Sequence, residues 1–474
     1  MGEHSGTLQP RPAAPAAASR RARLALLALA MATLGMLASC KLGPDYSRPE
    51  AIVPAGYKEG QGWKLAEPQD ATNRGPWWSV FNDPTLDQLE RQIDISNQNL
   101  KTAEAAFRIA RAVVREARSG FFPTVTFDAS ATRSGPVGGS TGRPATSASS
   151  GRSSSSRTLT QYSATVGASW ELDVWGRIRR TVEADVANAQ ASAADLESAR
   201  LSAQTELASD YFALRVADEL KRLLDSTVEA YTRSLEITRN RYASGVAARS
   251  DVVSAQAQLE NTRAQAINVG VQRAQLEHAI ALLIGKPPAD FSIAPASFTA
   301  LMPALPTGLP STLLERRPDI AAVERRMASA NAQIGVTEAA FFPNLTLNAS
   351  YSGASTALEN ILRASNSIWA LGPQLTSTLF DGGLRSAQLD AVRASYDQSV
   401  AVYRQAVLTS FKQVEDQLAA LEILERQADV QDGAVQAARE AQQLILNQYV
   451  AGTVARSEER RVGKECRSRW SPYH

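Results

Sequence analysis

The sequence predicts a mainly α chain with a small amount of membrane-type β structure, built as two structural repeats of long coiled-coil helices with two strands in each. Three observations predict it. Phe121-Phe122-Pro123 opens the segment FFPTVTFDAS, and Phe341-Phe342-Pro343 opens FFPNLTLNAS, 220 positions later. Residues 177–242 contain neither Pro nor Gly and set apolar side chains at three- and four-residue steps, the period of a helix with one packed face. Four segments of roughly ten residues alternate apolar and polar side chains, a length that crosses a bilayer's hydrocarbon when the strand is tilted.

At the N-terminus, Arg20, Arg21 and Arg23 precede an apolar run from Leu24 to Ala38 broken by one hydroxyl, Thr33. A spanning helix needs about 20 apolar residues, so residues 1–39 read as an export signal. The run ends in Leu37-Ala38-Ser39-Cys40, which resembles a bacterial lipobox. Cys40 is then the first mature residue and carries a covalent lipid; a cleavable signal with a coincidental Cys is the alternative. Residues 40–76 are expected to form a lipid-anchored extended segment, and no other stretch is apolar enough for a membrane helix.

The first repeat is placed at residues 77–290, with strands at about 122–133 and 160–173. Val125, Phe127, Ala129 and Ala131 alternate with Thr124, Thr126, Asp128 and Ser130; the returning strand alternates Tyr162, Ala164, Val166, Ala168, Trp170 and Leu172 with other residues. Ser and Gly crowd residues 134–157, an exposed loop between the strands. The helix from Arg177 to about Tyr242 would be on the order of 100 Å long, a coiled-coil rod. It breaks at Arg241-Tyr242-Ala243-Ser244-Gly245-Val246-Ala247, a tip expected over about 241–250, and a second helical pattern runs from about Asp251 to Ile284.

The second repeat is placed at residues 309–455, with strands at about 343–353 and 367–380. Leu345, Leu347, Ala349 and Tyr351 mark one strand; Trp369, Leu371, Leu375 and Leu379 mark the other. A rod from about Arg385 to Val450 leads to a tip at about 448–455, where NQYVAGTVA repeats NRYASGVAA at an offset of 207. The offsets differ by 13, and the longer Ser/Gly loop of the first copy accounts for the difference. Alternation alone leaves a half-buried soluble sheet open. Four strands cannot close a barrel whose smallest form has about 8, so either copies associate or the sheet does not span.

Composition narrows the chemistry. The 474 residues hold 50 Lys+Arg against 48 Asp+Glu, two Cys, three His and 6% aromatics. Such a balance offers no polybasic surface for nucleic acid. Two Cys make no disulfide framework, and with three His they leave almost nothing for a metal cage. Phosphate-loop, GxSxG and HExxH motifs are missing, so the chain is expected to have no catalytic residues, and no metal or cofactor beyond the lipid on Cys40. His278 reads as a packing or surface residue. Arg316-Arg317-Pro318-Asp319 reads as a turn and helix cap rather than an anion site.

After Cys40 come Leu42-Gly43-Pro44-Asp45-Tyr46 and Arg48-Pro49, then Trp77-Trp78, Phe81 and Asp83-Pro84; Leu309-Pro310-Ser311, Arg316-Arg317-Pro318-Asp319-Ile320 and Gly335-Val336 follow. In order and spacing these resemble the TolC-like outer-membrane factors of efflux pumps, in the lipoprotein branch of NodT or OprM type, along nearly the whole stretch from residue 24 to residue 455. The resemblance implies a homotrimer whose protomers give four strands each to one twelve-stranded outer-membrane barrel, with the helices forming a tube across the periplasm of a Gram-negative bacterium. It implies a passive, non-enzymatic exit duct for small molecules, fed by an inner-membrane resistance-nodulation-division-type pump through a periplasmic adaptor. Lys41, in place of an Asp, is permissive for outer-membrane delivery in such lipoproteins. Arg241, Tyr242, Gly245, Val246 and Ala247, with Tyr449 and Gly452 in the second copy, are the implied adaptor contacts. Asp251 matches the acidic position of a three-fold periplasmic gate, although an ordinary charge at a helix N-terminus also explains it. A type I secretion conduit and a structural envelope lipoprotein are the rival functions.

From Arg456 to His474 the second copy stops following the first. RSEERRVGKECRSRWSPYH has no helical apolar periodicity and holds Cys466; it is expected to be the translation of a synthetic sequencing adapter rather than native sequence, with a genuine basic tail as the alternative. The last helix of the second hairpin is then expected to be missing, and a chain ending this way is not expected to form a stable sealed tube, whereas its parent is. Residues 1–39 and 456–474 carry +3 each, which turns the formal +2 into about −4 for residues 40–455.

Overall fold

A computed structural model describes residues 41–49, 75–135, 158–298 and 317–450. The export signal, Cys40, most of the Ser/Gly loop, Arg316, Gly452 and the tail lie outside the described residues. Two compact units are present. One holds residues 41–49, 75–135, 158–298 and 321–403; the other holds residues 317–320 and 404–450.

In the first unit a 3₁₀ turn at Trp77–Phe81 precedes α1 (Pro84–Ser96) and α2 (Gln98–Ser119). Pro84 suits the first helical position, where no N–H is needed, and the Asp83 carboxylate accepts from the N–H groups of Thr85 and Leu86 at 2.8 and 3.1 Å. Asn97 separates the helices and caps the second, accepting from Leu100 N–H at 2.9 Å. Leu86, Leu89, Ile93 and Leu100 are buried with Leu207, Tyr211 and Leu214 of α3 (Arg177–Ala243) and with Ile280 of α4 (Arg249–Leu283). Each such side chain contributes roughly 1.5–3 kcal/mol. The Trp-Trp motif belongs to this core: Trp78 is buried and donates Nε1–H to Asp87 at 3.1 Å, while Tyr211 donates to Asp83 at 2.5 Å.

The hairpin of α3 and α4 matches the expected rod and return. Leu259, Thr262, Ala266 and Val269 are buried on α4 at steps of three, four and three, the seam of a coiled coil. Towards the end of α4, Arg273 and Arg215 grip the buried Asp218 at 2.6 and 3.2 Å, and Arg273 also donates to Ile293 O. The segment after α4 is thereby strapped back onto the hairpin. His278 is exposed, as a surface residue.

The strands are β1 (Thr124–Ser134), β2 (Leu159–Glu171), β3 (Asn344–Ser355) and β4 (Ser367–Thr376), in one antiparallel sheet of order β1-β2-β3-β4. Three expected ends move. Phe121 and Phe122 lie in the turn that closes α2, donating to Arg118 O and Ser119 O, so β1 begins at Thr124. Asp173 leaves β2 to cap α3, accepting from the N–H groups of Ile178 and Arg179 at 2.9 and 3.0 Å. Leu379 is not part of β4, because Thr376 already pairs with Asn344, the first residue of β3, and nothing remains to pair beyond it.

Before β3 lies α5 (Pro318–Ala339), and after β4 lies α6 (Leu384–Val450). In the second unit Arg317 reaches the Asp319 carboxylate with two nitrogens, at 3.0 and 2.7 Å, and donates to Gln413 at 2.7 Å. Pro318 opens α5, the first-turn position expected of it, and the ion pair ties Arg317 to that turn. From Lys412 to Ile445 no described side chain of α6 is buried, and Ile423, Leu424, Val430 and Leu444 are exposed.

Candidate functional site

The sheet is the first feature that can act. Its register puts like with like across all four strands: Phe127 pairs with Val166, Val166 with Tyr351, and Tyr351 with Trp369. Two residues along, Val125, Ala168, Ala349 and Leu371 line up in the same way. One face is therefore apolar from edge to edge, and it is open: Phe127, Trp369 and Leu371 are 70, 75 and 65% exposed. The opposite face carries Thr126, Asp128, Ser163, Thr165, Asn348 and Ser352, with Ile368 as a large apolar exception at its edge. On that face the Ser130 and Ser163 hydroxyls are 2.8 Å apart and Thr165 donates to Ser352 at 3.1 Å. A hollow of about 510 Å³ opens on the sheet, with Thr126, Ser169, Asn348, Ser350 and Gly372 among its lining. A soluble half-buried sheet would cover its apolar face; this one exposes it and gathers hydroxyls and amides on the other side, the arrangement of a barrel wall between lipid and water.

At the end of the sheet where helices begin, residues 41–48 lie as a strap on α3 and α5. Arg180, fully buried, donates Nε–H to Leu42 O at 2.8 Å and Nη2–H to Gly43 O at 2.7 Å, and pairs with Glu183 at 3.0 Å. Asn331 donates to Pro44 O at 2.9 Å, Tyr46 to Glu324 at 2.8 Å, and Arg48 to the Tyr403 hydroxyl at 2.9 Å. Lys41 pairs with Glu183 at 2.9 Å and with Asp45, whose carboxyl is held below its usual range by the Lys41 hydrogen bond and charge. Burial, reinforced by Glu324, pushes the Tyr46 hydroxyl pKa well up. Gly43 and Gly335 are where the strap crosses α5: Gly43 has φ +85°, and a Cβ on Gly335 would lie 2.7 Å from Leu42 O. The sequence motifs at 42–49 and 335–336 are thus two sides of one contact.

The hairpin turn after α3 falls where the sequence places it. Gly245, at φ +78°, donates to Tyr242 O at 2.9 Å, and Val246 donates to Arg241 O at 2.9 Å, which closes α3 and turns the chain. Tyr242, Val246 and Val253 are 47, 67 and 58% exposed, and Ala247 is half-buried. Asp251 sits in the first turn of α4 and accepts the Ala248 N–H at 3.2 Å through Oδ2. Ala248 has no side-chain acceptor, so only the carboxylate half of a capping box is made. In the second copy Tyr449 lies in the last described turn of α6.

A long helical hairpin, a second rod of like length and a two-faced sheet whose outer strands are unpaired among the described residues are the parts of an envelope channel. A family model for outer membrane efflux proteins matches residues 89–286 and 309–462, so its second span runs past Ala455 into the segment expected to be foreign. The chain belongs to the outer membrane efflux protein family. It is 32% identical over 431 residues to the toluene efflux pump outer membrane protein TtgC of Pseudomonas putida, covering 90% of this chain and 87% of that protein. Nodulation protein T of Rhizobium leguminosarum bv. trifolii is 29% identical over 422 residues, covering 88% and 86%. Among solved structures, the open state of the Neisseria gonorrhoeae MtrE outer membrane channel superposes with a TM-score of 0.74 at 28% identity, covering 90% of this chain and 93% of that one.

Proposed function

We propose that the protein is one protomer of the outer-membrane channel of a tripartite efflux system, a passive exit duct for small molecules. Three copies close a twelve-stranded barrel, and their helices extend the duct into the periplasm. An inner-membrane transporter of the resistance-nodulation-division type supplies the cargo through a periplasmic adaptor, which meets the tip at Arg241, Tyr242, Gly245, Val246 and Ala247 and at Tyr449 and Gly452. The observation that carries this reading is the continuous, exposed apolar face backed by a largely polar one. Wall and tube need no catalytic group, because cargo moves down the path that the pump opens.

The strap supports the reading of Cys40 as a lipid anchor. Leu42 N–H donates to Trp175 O at 3.4 Å, between β2 and α3, which ties the strap to the sheet's helical end. A lipid on Cys40, two residues upstream, is then tethered within about 7 Å of that point and enters the leaflet at the rim of the barrel. Asp251 is proposed as a periplasmic gate, where three-fold symmetry brings like charges towards the axis. Deleting the gene from a strain without other outer channels tests the function: retention of a fluorescent pump substrate should rise several-fold and fall again on complementation. Unchanged retention would contradict it.

A further inference from the structure

The connection from β3 to β4 is a built loop. Residues 356–366 form two 3₁₀ turns, Leu358–Asn360 and Ala364–Asn366, and Asn366 Nδ2–H donates to Asn360 O at 2.9 Å, which draws the two turns together. The side of the sheet on which they lie is fixed by one glycine. Gly353 follows Tyr351 at the two-residue period of a strand, in the rung of Ala164 and Ser367, so a side chain there would stand on the apolar face. Its Cβ would collide with Ile361 O, and Gly353 is the one buried residue of β3. The loop is therefore folded outward over the apolar face, not inward over the polar one.

The loop brings apolar side chains of its own. Leu358 and Leu362 are 65 and 81% exposed, just beyond the rung of Tyr351 and Trp369, themselves 51 and 75% exposed. From Leu345 to Gly353 the strand runs about 27 Å along its axis, or roughly 21 Å across a bilayer at a tilt of about 40°, against an apolar band about 25 Å tall in membrane barrels. The loop thus stands where hydrocarbon gives way to headgroups, at the end of the sheet away from the helices. Arg363 in the loop, and Arg133 on the apolar face near the end of β1, are exposed and make no ion pair among the described residues, not even with Glu359, the loop's one acid. We propose that residues 356–366 dock onto the lipid of the outer leaflet, with Leu358 and Leu362 among the upper acyl chains and Arg363 and Arg133 on lipid phosphates. Acyl chains answer the two leucines, and phosphate answers the unpaired guanidinium groups. The dock continues the apolar wall below it without a break. A lid over the lumen would need the loop on the other face.

The proposal rests on the channel reading, and one experiment separates the two. Leu362→Cys, Trp369→Cys and Ser350→Cys, each in protein expressed from its own genomic locus, are labelled with a fluorophore and reconstituted into phosphatidylcholine vesicles with or without phosphatidylglycerol. Parent protein taken through the same labelling gives the background. Lipid bearing a nitroxide high on its acyl chain should quench the labels at positions 362 and 369 several-fold more than the label at 350, and iodide in the water should favour 350. Phosphatidylglycerol should raise the lipid quenching at 362 about two-fold, and Arg363→Gln with Arg133→Gln should abolish that rise. Gly353→Ala, whose Cβ displaces Ile361, should lower lipid quenching at 362 and leave 369 as it was. Lipid quenching at 369 with none at 362 overturns the docking, and no response to phosphatidylglycerol overturns the phosphate contact. Iodide quenching at 369 equal to that at 350, with no lipid quenching at either, overturns the channel reading itself.

Discussion

At Glu90 the protein buries a carboxylate in α1 to which nothing among the described residues donates. Burial, with the nearby charge of Asp94, pushes its pKa up to about 8. The unfolded chain ionises this group near the ordinary value of about 4.3. Between the two values the folded state holds one proton more, so stability falls as pH rises through that window and levels off above it. Glu90→Gln should flatten the fall, with thermal unfolding close to the parent at pH 5 and stabilised by on the order of a few kcal/mol at pH 8. An unchanged slope would refute this. Asp251 needs a different pair of variants, because its carboxylate also caps α4. Asp251→Asn keeps the acceptor and removes the charge; Asp251→Ala removes both. A gate charge predicts that both raise closed-state leak in single-channel records, whereas a mere cap predicts that only the Ala variant changes anything.

Long, unbroken elements were the most legible. The rods announce themselves by helical steps without interruption; both ends of α3 and the start of α6 fall within one residue of those expected. Shorter α1 and α2 carry clear start signals in Asp83-Pro84 and Asn97, yet they stand out little because their apolar face is completed by α3 and α4 from far along the chain. Strand ends differ from expectation where a local turn or cap competes with the alternation, as at Asp173, which turns to cap a helix, or where the partner strand runs out, as at Leu379, which has no strand partner among the described residues. The strap could not be foreseen at all: nothing local in Leu42 to Arg48 reveals a buried Arg180 that binds Leu42 across 138 residues of chain. Its tight crossing is testable. Gly335→Ala forces a Cβ to within 2.8 Å of Arg180 Nε, so the strap must shift, at a cost of about 1–3 kcal/mol. Hydrogen exchange at residues 42–46 should quicken while α4 is unaffected; equal exchange in parent and variant would show that the strap is not held there.

For the whole molecule, charge and apolar area point the same way. An isolated protomer exposes Trp369, Leu371 and Leu375 at 65–75%, a patch that water disfavours and lipid accepts. Polar side chains gather on the other face, where Asp128 and Asn348 stand 220 positions apart at equivalent places in the two repeats. In the proposed trimer, closure by further copies would pair both outer strands and turn these positions into a ring around the lumen. Such a ring, together with Asp251 near the tip, should favour cations over anions. The most direct measurement is single-channel current through planar bilayers, with protein purified from its native outer membrane. Discrete conductance steps, with a reversal potential under a salt gradient that shows cation preference, are the expected result. Membrane-inserted protein that gives no steps would contradict a channel.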